Sequence, residues 1–201
     1  METKIPGYEG YLNSNCATIA EVLKSSGYRT LMSGKWHVTR HLDGPKHNWP
    51  CQRGFDDFYG IITGASDYFN PSTLTRNNER IATPSGPYFI TDAISDEAIR
   101  QIRSHVTASP DRPFFSYVAY TAPHWPLHAF EEDITKYQGR YMNGWDDVRT
   151  ARHEELNSRG ILDKTWPISP RDEDAHSWED EREKEREDLR MAVYAAQIEQ
   201  M

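Results

Sequence analysis

The sequence predicts an α/β fold with a mixed, mostly parallel central sheet flanked by helices. Three observations carry that expectation. A helix signal runs straight into a strand signal between Thr18 and Gly34. A second helix, Thr91 to His105, is followed by the nearly continuous apolar run Phe114 to Tyr120, the pattern of a strand buried on both faces of a parallel sheet. At 201 residues with 37% hydrophobic and 12% aromatic side chains, the chain is long enough for one core and too aromatic to be a disordered polymer.

The lead-in through Leu12, rich in Gly and Tyr, reads as irregular. The first helix opens on a capping box, in which the Thr18 hydroxyl accepts from the Glu21 amide and the Glu21 carboxylate reaches back to the Thr18 amide. Ile19, Val22 and Leu23 give it a short apolar stripe, and Gly27 suits a left-handed stop. Tyr28 to Met32 follows as a strand ending at Gly34-Lys35-Trp36-His37. From His41 to Pro87, Gly and Pro recur too often for long elements, although the aromatic segment Gly54 to Ile62 is expected to pack on the domain. The second helix is expected to bury Ile94, Ala98, Ile99 and Ile102. Beyond Tyr137 the chain reads as polar and without a clear element until about Trp178. A charged helix then runs to Met201, with Glu183/Arg186 and Glu187/Arg190 pairs and an inward stripe of Leu189, Ala192, Val193 and Ala196.

The formal charge is -8, and ten acids against five bases lie between Arg171 and Arg190. No basic footprint suits nucleic acid. The acidic run could meet a basic partner, but reads rather as the solvated face of a helix. No apolar run approaches the roughly 18 residues of a membrane span, and the first residues lack the apolar centre of a secretory signal. Cys16 and Cys51 are too few for a disulfide scaffold, so a reducing, cytoplasmic setting is expected. His37, His41 and His47 with Cys51 invite a zinc reading. Gly44, Pro45 and Pro50 argue against the helix that would align them, and the loop is expected to be solvated.

Two segments share a structural address. Lys35 with His37, and separately His124 in Pro123-His124-Trp125-Pro126, each follow directly on an expected strand, and open α/β sheets bind ligands outside the carboxyl ends of their strands. A Lys supplies a compact positive charge, and His can give or take a proton near neutral pH. Together they suit a tetrahedral anionic ester. Lys neutralises non-bridging oxygens, one His orients the nucleophile and the other protonates the departing oxygen. An exposed turn and a rigid packing loop would carry the same residues. Trp125 could line an aryl substrate pocket or cover the sheet edge.

Thr18 to His37 closely resembles the signature of the sulfatase family, a helix and strand ending in Gly-Lys-Trp-His. Arg53 to Gly60, Tyr88 to Ile99 and Phe114 to Leu127 resemble its following segments in order. Lys136 to Tyr141 and Met191 to Met201 are similar to its bacterial arylsulfatase branch. The resemblance implies the alkaline-phosphatase-like fold and hydrolysis of a small-molecule sulfate monoester, with no nucleic-acid or membrane partner expected. It assigns Lys35 to the sulfate oxygens, His37 to a hydroxyl of a formylglycine hydrate, and His124 to the ester oxygen and leaving alcohol. A calcium ion is expected in the complete enzyme, with ligands outside this chain. The family's Cys/Ser-x-Pro-x-Arg nucleophile motif, its amino-terminal Asp pair and its later Asp-Asn pair do not occur here. Residues 1–201 are therefore expected to be a partial catalytic domain, inactive alone. The alternatives are a phosphonate or phosphate monoester hydrolase of the same superfamily and a non-catalytic binding or packing module.

Overall fold

A computed structural model describes residues 10, 12–39 and 42–201, which form two compact units, one reaching Pro126 and the other spanning Leu127–Glu199. Most of the lead-in and His41 lie outside the described residues.

The first unit is built on a mixed five-stranded sheet. Helix α1 (Ile19–Ser25) leads into β1 (Arg29–Gly34), followed by β2 (Asp57–Ile61), β3 (Leu74–Arg76), β4 (Glu79–Arg80), α2 (Ile90–Ala108) and β5 (Phe114–Ala119). The spatial order is β4-β3-β2-β1-β5. Strand β1 runs parallel to both neighbours, pairing Leu31 with Asp57 on one side and Gly34 with Ala119 on the other. β3 and β4 add antiparallel pairs at one edge. They lie inside the Gly- and Pro-punctuated stretch, where runs of two and three residues leave no periodicity to read. Asn77 supplies their turn with a φ of 53° and accepts from the Phe58 amide at 2.9 Å through its side chain.

The capping box of α1 is present, with Thr18 N to Glu21 Oε2 at 2.7 Å and Glu21 N to Thr18 Oγ1 at 3.0 Å. Its apolar stripe does not face inward as expected. Ile19 is 68% exposed and Val22 is exposed too, while Ala20 makes the buried contact with Met32, Trp49, Phe55, Phe58 and Ile62. A small residue lets the helix backbone sit close to the sheet: the Cβ of any side chain at Gly54 would lie 2.4 Å from the Glu21 amide nitrogen.

Helix α2 covers the other sheet face, where the Ser33 hydroxyl donates to the Ile94 carbonyl at 2.7 Å and Gln101 Nε2 to the Met32 carbonyl at 3.1 Å. Ile94 and Ala98 are buried as expected, but Ile99 is exposed and polar Glu97, Gln101 and His105 take the inward positions. Glu97 is tolerated there because Arg76 and Arg100 both pair with it at 2.5 Å, holding its carboxyl below the usual range against the opposing effect of burial.

Strand β5 corrects a second expectation. It is paired only with β1 among the described residues, so Phe114, Val118 and Tyr117 (46% exposed) are not enclosed on both faces. Phe115 and Tyr117 stack on Phe55 at centroid distances of 6.3 and 6.5 Å.

In the second unit, α3 (Glu131–Thr135) precedes the stretch read as featureless, which itself contains the fifteen-residue α4 (Gly144–Ser158). The missed signal is tertiary. Trp178 is buried edge-on against Trp145 at 4.9 Å, and its indole N–H donates to the Met142 carbonyl at 2.9 Å. The last helix, α5 (Lys184–Glu199), starts later than expected. Its buried line is Asp188, Ala192, Ala196 and Gln197, leaving Leu189 exposed. Asp188, read as part of a solvated acidic face, is instead 3% exposed and accepts from the Gly139 and Tyr141 amides at 2.7 and 2.8 Å. Among the described residues no helix is long and apolar enough to cross a membrane.

Candidate active site

The segment after β1 is stitched across the sheet by its backbone. The Lys35 amide donates to Ala119 at the end of β5 (2.7 Å), and the Trp36 and His37 amides donate to Ile61 and Ile62 at the end of β2 (2.9 and 3.1 Å). Trp36 anchors this crossing, with its indole N–H on the Asn48 carbonyl at 2.8 Å and its ring edge-on to Phe55. Lys35 is half-buried and His37 exposed. His37 holds a φ of 57°, a left-handed conformation that costs a non-glycine residue on the order of 1–3 kcal/mol. Gly64 lies against its ring, and a Cβ there would stand 2.2 Å from His37 Cε1 and Nε2. Only glycine leaves room for this imidazole.

His124 follows β5. Its amide donates to Thr121 at 3.1 Å, and its carbonyl accepts from the Tyr68 hydroxyl at 2.9 Å. Tyr68 is fully buried and tilts against Phe89 at 5.7 Å. Tyr68 and Gly64 position the site, and both escaped the sequence reading. They sit in a loop-like stretch, 56 and 60 residues from His124, with no local pattern to mark them. Nδ1 of His124 lies 2.8 Å from the Trp125 carbonyl, which can only accept, so Nδ1 carries the hydrogen and Nε2 is left for proton exchange. Trp125 is 57% exposed beside it.

Burial lowers the Lys35 pKa. His37 is also lowered, first by burial and then by the charges of Lys35 and His124, so its neutral form prevails at pH 7. The parallel pairing of β1 with β5 brings Lys35 and His124 to the carboxyl ends of two neighbouring strands. Because the folded pKa of His37 lies below its unfolded value, the unfolded chain binds the proton more readily and stability falls as pH drops through about 6.5. Lys35→Met is expected to raise the His37 pKa, measured by its imidazole proton shifts against pH. An unchanged value would separate the two groups.

A cavity of about 500 Å³ lies elsewhere in this unit, lined by Cys16, Glu21, His47, Asn48 and Arg53 among others. Arg53 is structurally committed there. It reaches Glu21 at 2.9 Å, Asn48 Oδ1 at 2.9 Å and the Cys16 carbonyl at 2.8 Å. Burial pushes the Cys51 thiol up to about 11, which removes it as a thiolate nucleophile at neutral pH. Among the described residues no three His, Cys, Asp or Glu gather to hold a metal, and His41 of the zinc reading lies outside those residues. The described residues therefore supply no such cluster for a calcium ion.

A family model described as Sulfatase matches residues 2–201. An uncharacterized sulfatase of Schizosaccharomyces pombe is 33% identical over 96% of this chain and 37% of its own length. An arylsulfatase of Klebsiella aerogenes is 35% identical over 97% of this chain and 43% of its own. The chain thus spans about two fifths of these relatives. The crystal structure of the sulfatase yidJ from Bacteroides fragilis superposes with a TM-score of 0.58 at 19% identity, covering 94% of this chain and 38% of that one, which shows the shared alkaline-phosphatase-like fold. With Gly-Lys-Trp-His and Pro-His-Trp-Pro closing on adjacent parallel strands and the family match running nearly end to end, the chain belongs to the sulfatase family.

Proposed function

We propose that this chain contributes the Lys35, His37 and His124 part of an enzyme that hydrolyses sulfate monoesters of small molecules. The observation that carries the reading is the parallel pairing of β1 with β5, which brings the segment holding Lys35 and His37 and the loop holding His124 to the same end of the sheet. Lys35 in its cationic form neutralises non-bridging sulfate oxygens. His37, neutral and held by its strained backbone, offers a hydrogen bond to the attacking oxygen. His124, with Nδ1–H engaged by the Trp125 carbonyl, presents Nε2–H to the departing oxygen when protonated. Trp125 lies where it can meet the alcohol portion of the ester.

The nucleophile, a formylglycine hydrate by family resemblance, and the calcium ligands are contributed by polypeptide outside residues 1–201. The coverage of only two fifths of the relatives supports this, as does the setting of Cys16, which lacks the Cys-x-Pro-x-Arg form. Two measurements test the reading. The isolated 201-residue chain is expected to give no turnover of 4-nitrophenyl sulfate, and detectable hydrolysis would refute the need for outside residues. The full-length enzyme is expected to prefer 4-nitrophenyl sulfate over 4-nitrophenyl phenylphosphonate. The reverse preference would make it a phosphonate hydrolase, and inertness towards both would end the catalytic reading.

A further inference from the structure

In the second unit, Arg149, Arg152, His153 and Leu156 recur at i, i+3, i+4 and i+7 and so share one face of α4. The segment from Leu162 to Ser169 folds back over that face, and between them lies a cavity of about 290 Å³. In a chain of net charge -8, none of the described residues lining this cavity is a carboxylate. Its walls are two arginines, a histidine, a serine, Leu156, Leu162, Pro167, Ile168 and the indole of Trp166, which is 61% exposed.

Neither guanidinium forms an ion pair among the described residues. Arg149 donates only to neutral oxygens, the Ser169 carbonyl and hydroxyl and the Pro170 carbonyl. Arg152 is exposed and forms no ion pair among the described residues. Nearby carboxylates are engaged elsewhere: Asp146 with Arg171 at 2.8 Å, Glu155 with Arg159 at 2.6 Å, and Asp163 with the Thr165 amide and hydroxyl at 2.8 and 2.7 Å. His153 Nε2 donates to the Trp166 carbonyl at 2.9 Å, which ties the Trp166 segment to the helix.

We propose that this cavity binds a monocyclic aromatic anion, a ring bearing a sulfate, sulfonate or carboxylate. The apolar walls and the indole take the ring, and Arg152, with the open side of Arg149, takes the oxyanion in the geometry a guanidinium offers. Pockets for drug-sized ligands start at roughly 300 Å³, so this one accommodates a single ring. A bare inorganic anion would leave the Trp166 and Leu162 surface unused, and a neutral ring would leave two cations unpaired. The site is independent of the hydrolytic reading, since none of its residues takes part in that chemistry.

The test uses the full chain labelled at its tryptophan indole nitrogens, with benzenesulfonate as a probe that has no hydrolysable ester. Benzenesulfonate is expected to shift the Trp166 indole N–H resonance saturably in the millimolar range, with benzenesulfonamide and methanesulfonate leaving it in place. Arg152→Gln should weaken binding about tenfold or more, with the Trp145 and Trp178 resonances unmoved as a check on folding. Lys35→Met should leave the titration unchanged. Four results would each overturn the proposal: no saturable shift, an equal shift from either control, an unchanged affinity in Arg152→Gln, or a shift abolished by Lys35→Met, which would place the probe at the catalytic group instead.

Discussion

His124→Ala in the full-length enzyme is expected to lower kcat/KM by about 10²–10⁴-fold for the sulfate ester of a weakly acidic alcohol, and far less for 4-nitrophenyl sulfate. The asymmetry is the informative part. An alkoxide is a poor leaving group unless a proton reaches its oxygen as the S–O bond breaks, whereas 4-nitrophenolate departs without help. Only Nε2 of His124 is available for that proton, because Nδ1 is occupied by the Trp125 carbonyl at 2.8 Å. The side chain is exposed, so its truncation leaves the core intact and the rate reports on chemistry rather than folding. Rates across a series of leaving groups check this. A uniform loss for good and poor leaving groups alike would remove His124 from the proton-donor role.

Gly34→Ala should act on stability instead, by about 3–5 kcal/mol. Gly34 has a φ of 130°, and a Cβ there would stand 1.9 Å from the Ala119 carbonyl oxygen, a backbone atom that cannot rotate away. Strand β5 would have to move, which strains the backbone by about 1–3 kcal/mol and forfeits ladder hydrogen bonds of about 0.5–1.5 kcal/mol each, the Lys35 to Ala119 bond among them. Gly44→Ala is the control, since Gly44 has a φ of 111° but nothing within 4 Å of a Cβ, so it isolates the conformational cost from the collision. Urea unfolding midpoints of the full-length protein compare the two. An equal loss at both positions would show that the close approach of β1 to β5 contributes nothing.

The first helix cap, strand β1 and the placement of Lys35, His37 and His124 were legible because each rests on local signals: a Thr and Glu three apart, an apolar run, a turn after a strand. What escaped depends on distant partners. Ile19 and Val22 have helical spacing, yet Ala20 faces the core, and the helix backbone at Ala20 and Glu21 passes so near Gly54 that a Cβ at position 54 has no room. The apolar run of β5 reads as a central strand, since hydrophobicity does not tell how many neighbours a strand pairs with. Helix α4 lacks a strong apolar stripe, and its hold on the fold comes from Trp178, thirty-three residues beyond Trp145. Tyr68 and Gly64 carry no motif at all, and their role appears only when the chain brings them to His124 and His37.

The parallel pairing of Gly34 with Ala119 has a consequence for the distance between Lys35 and His124. Both loops leave the sheet at the same end, with Lys35 one residue after Gly34 and His124 five after Ala119. Their spacing is therefore a reading of the β1–β5 alignment, much as the teeth of a key are set by where the blade stops in the lock. A slip of one residue would carry His124 about 3.3 Å along the strand direction and turn every β5 side chain to the opposite face. Mutations far down β5, near Phe114, can thus detune the site without touching a single atom of it.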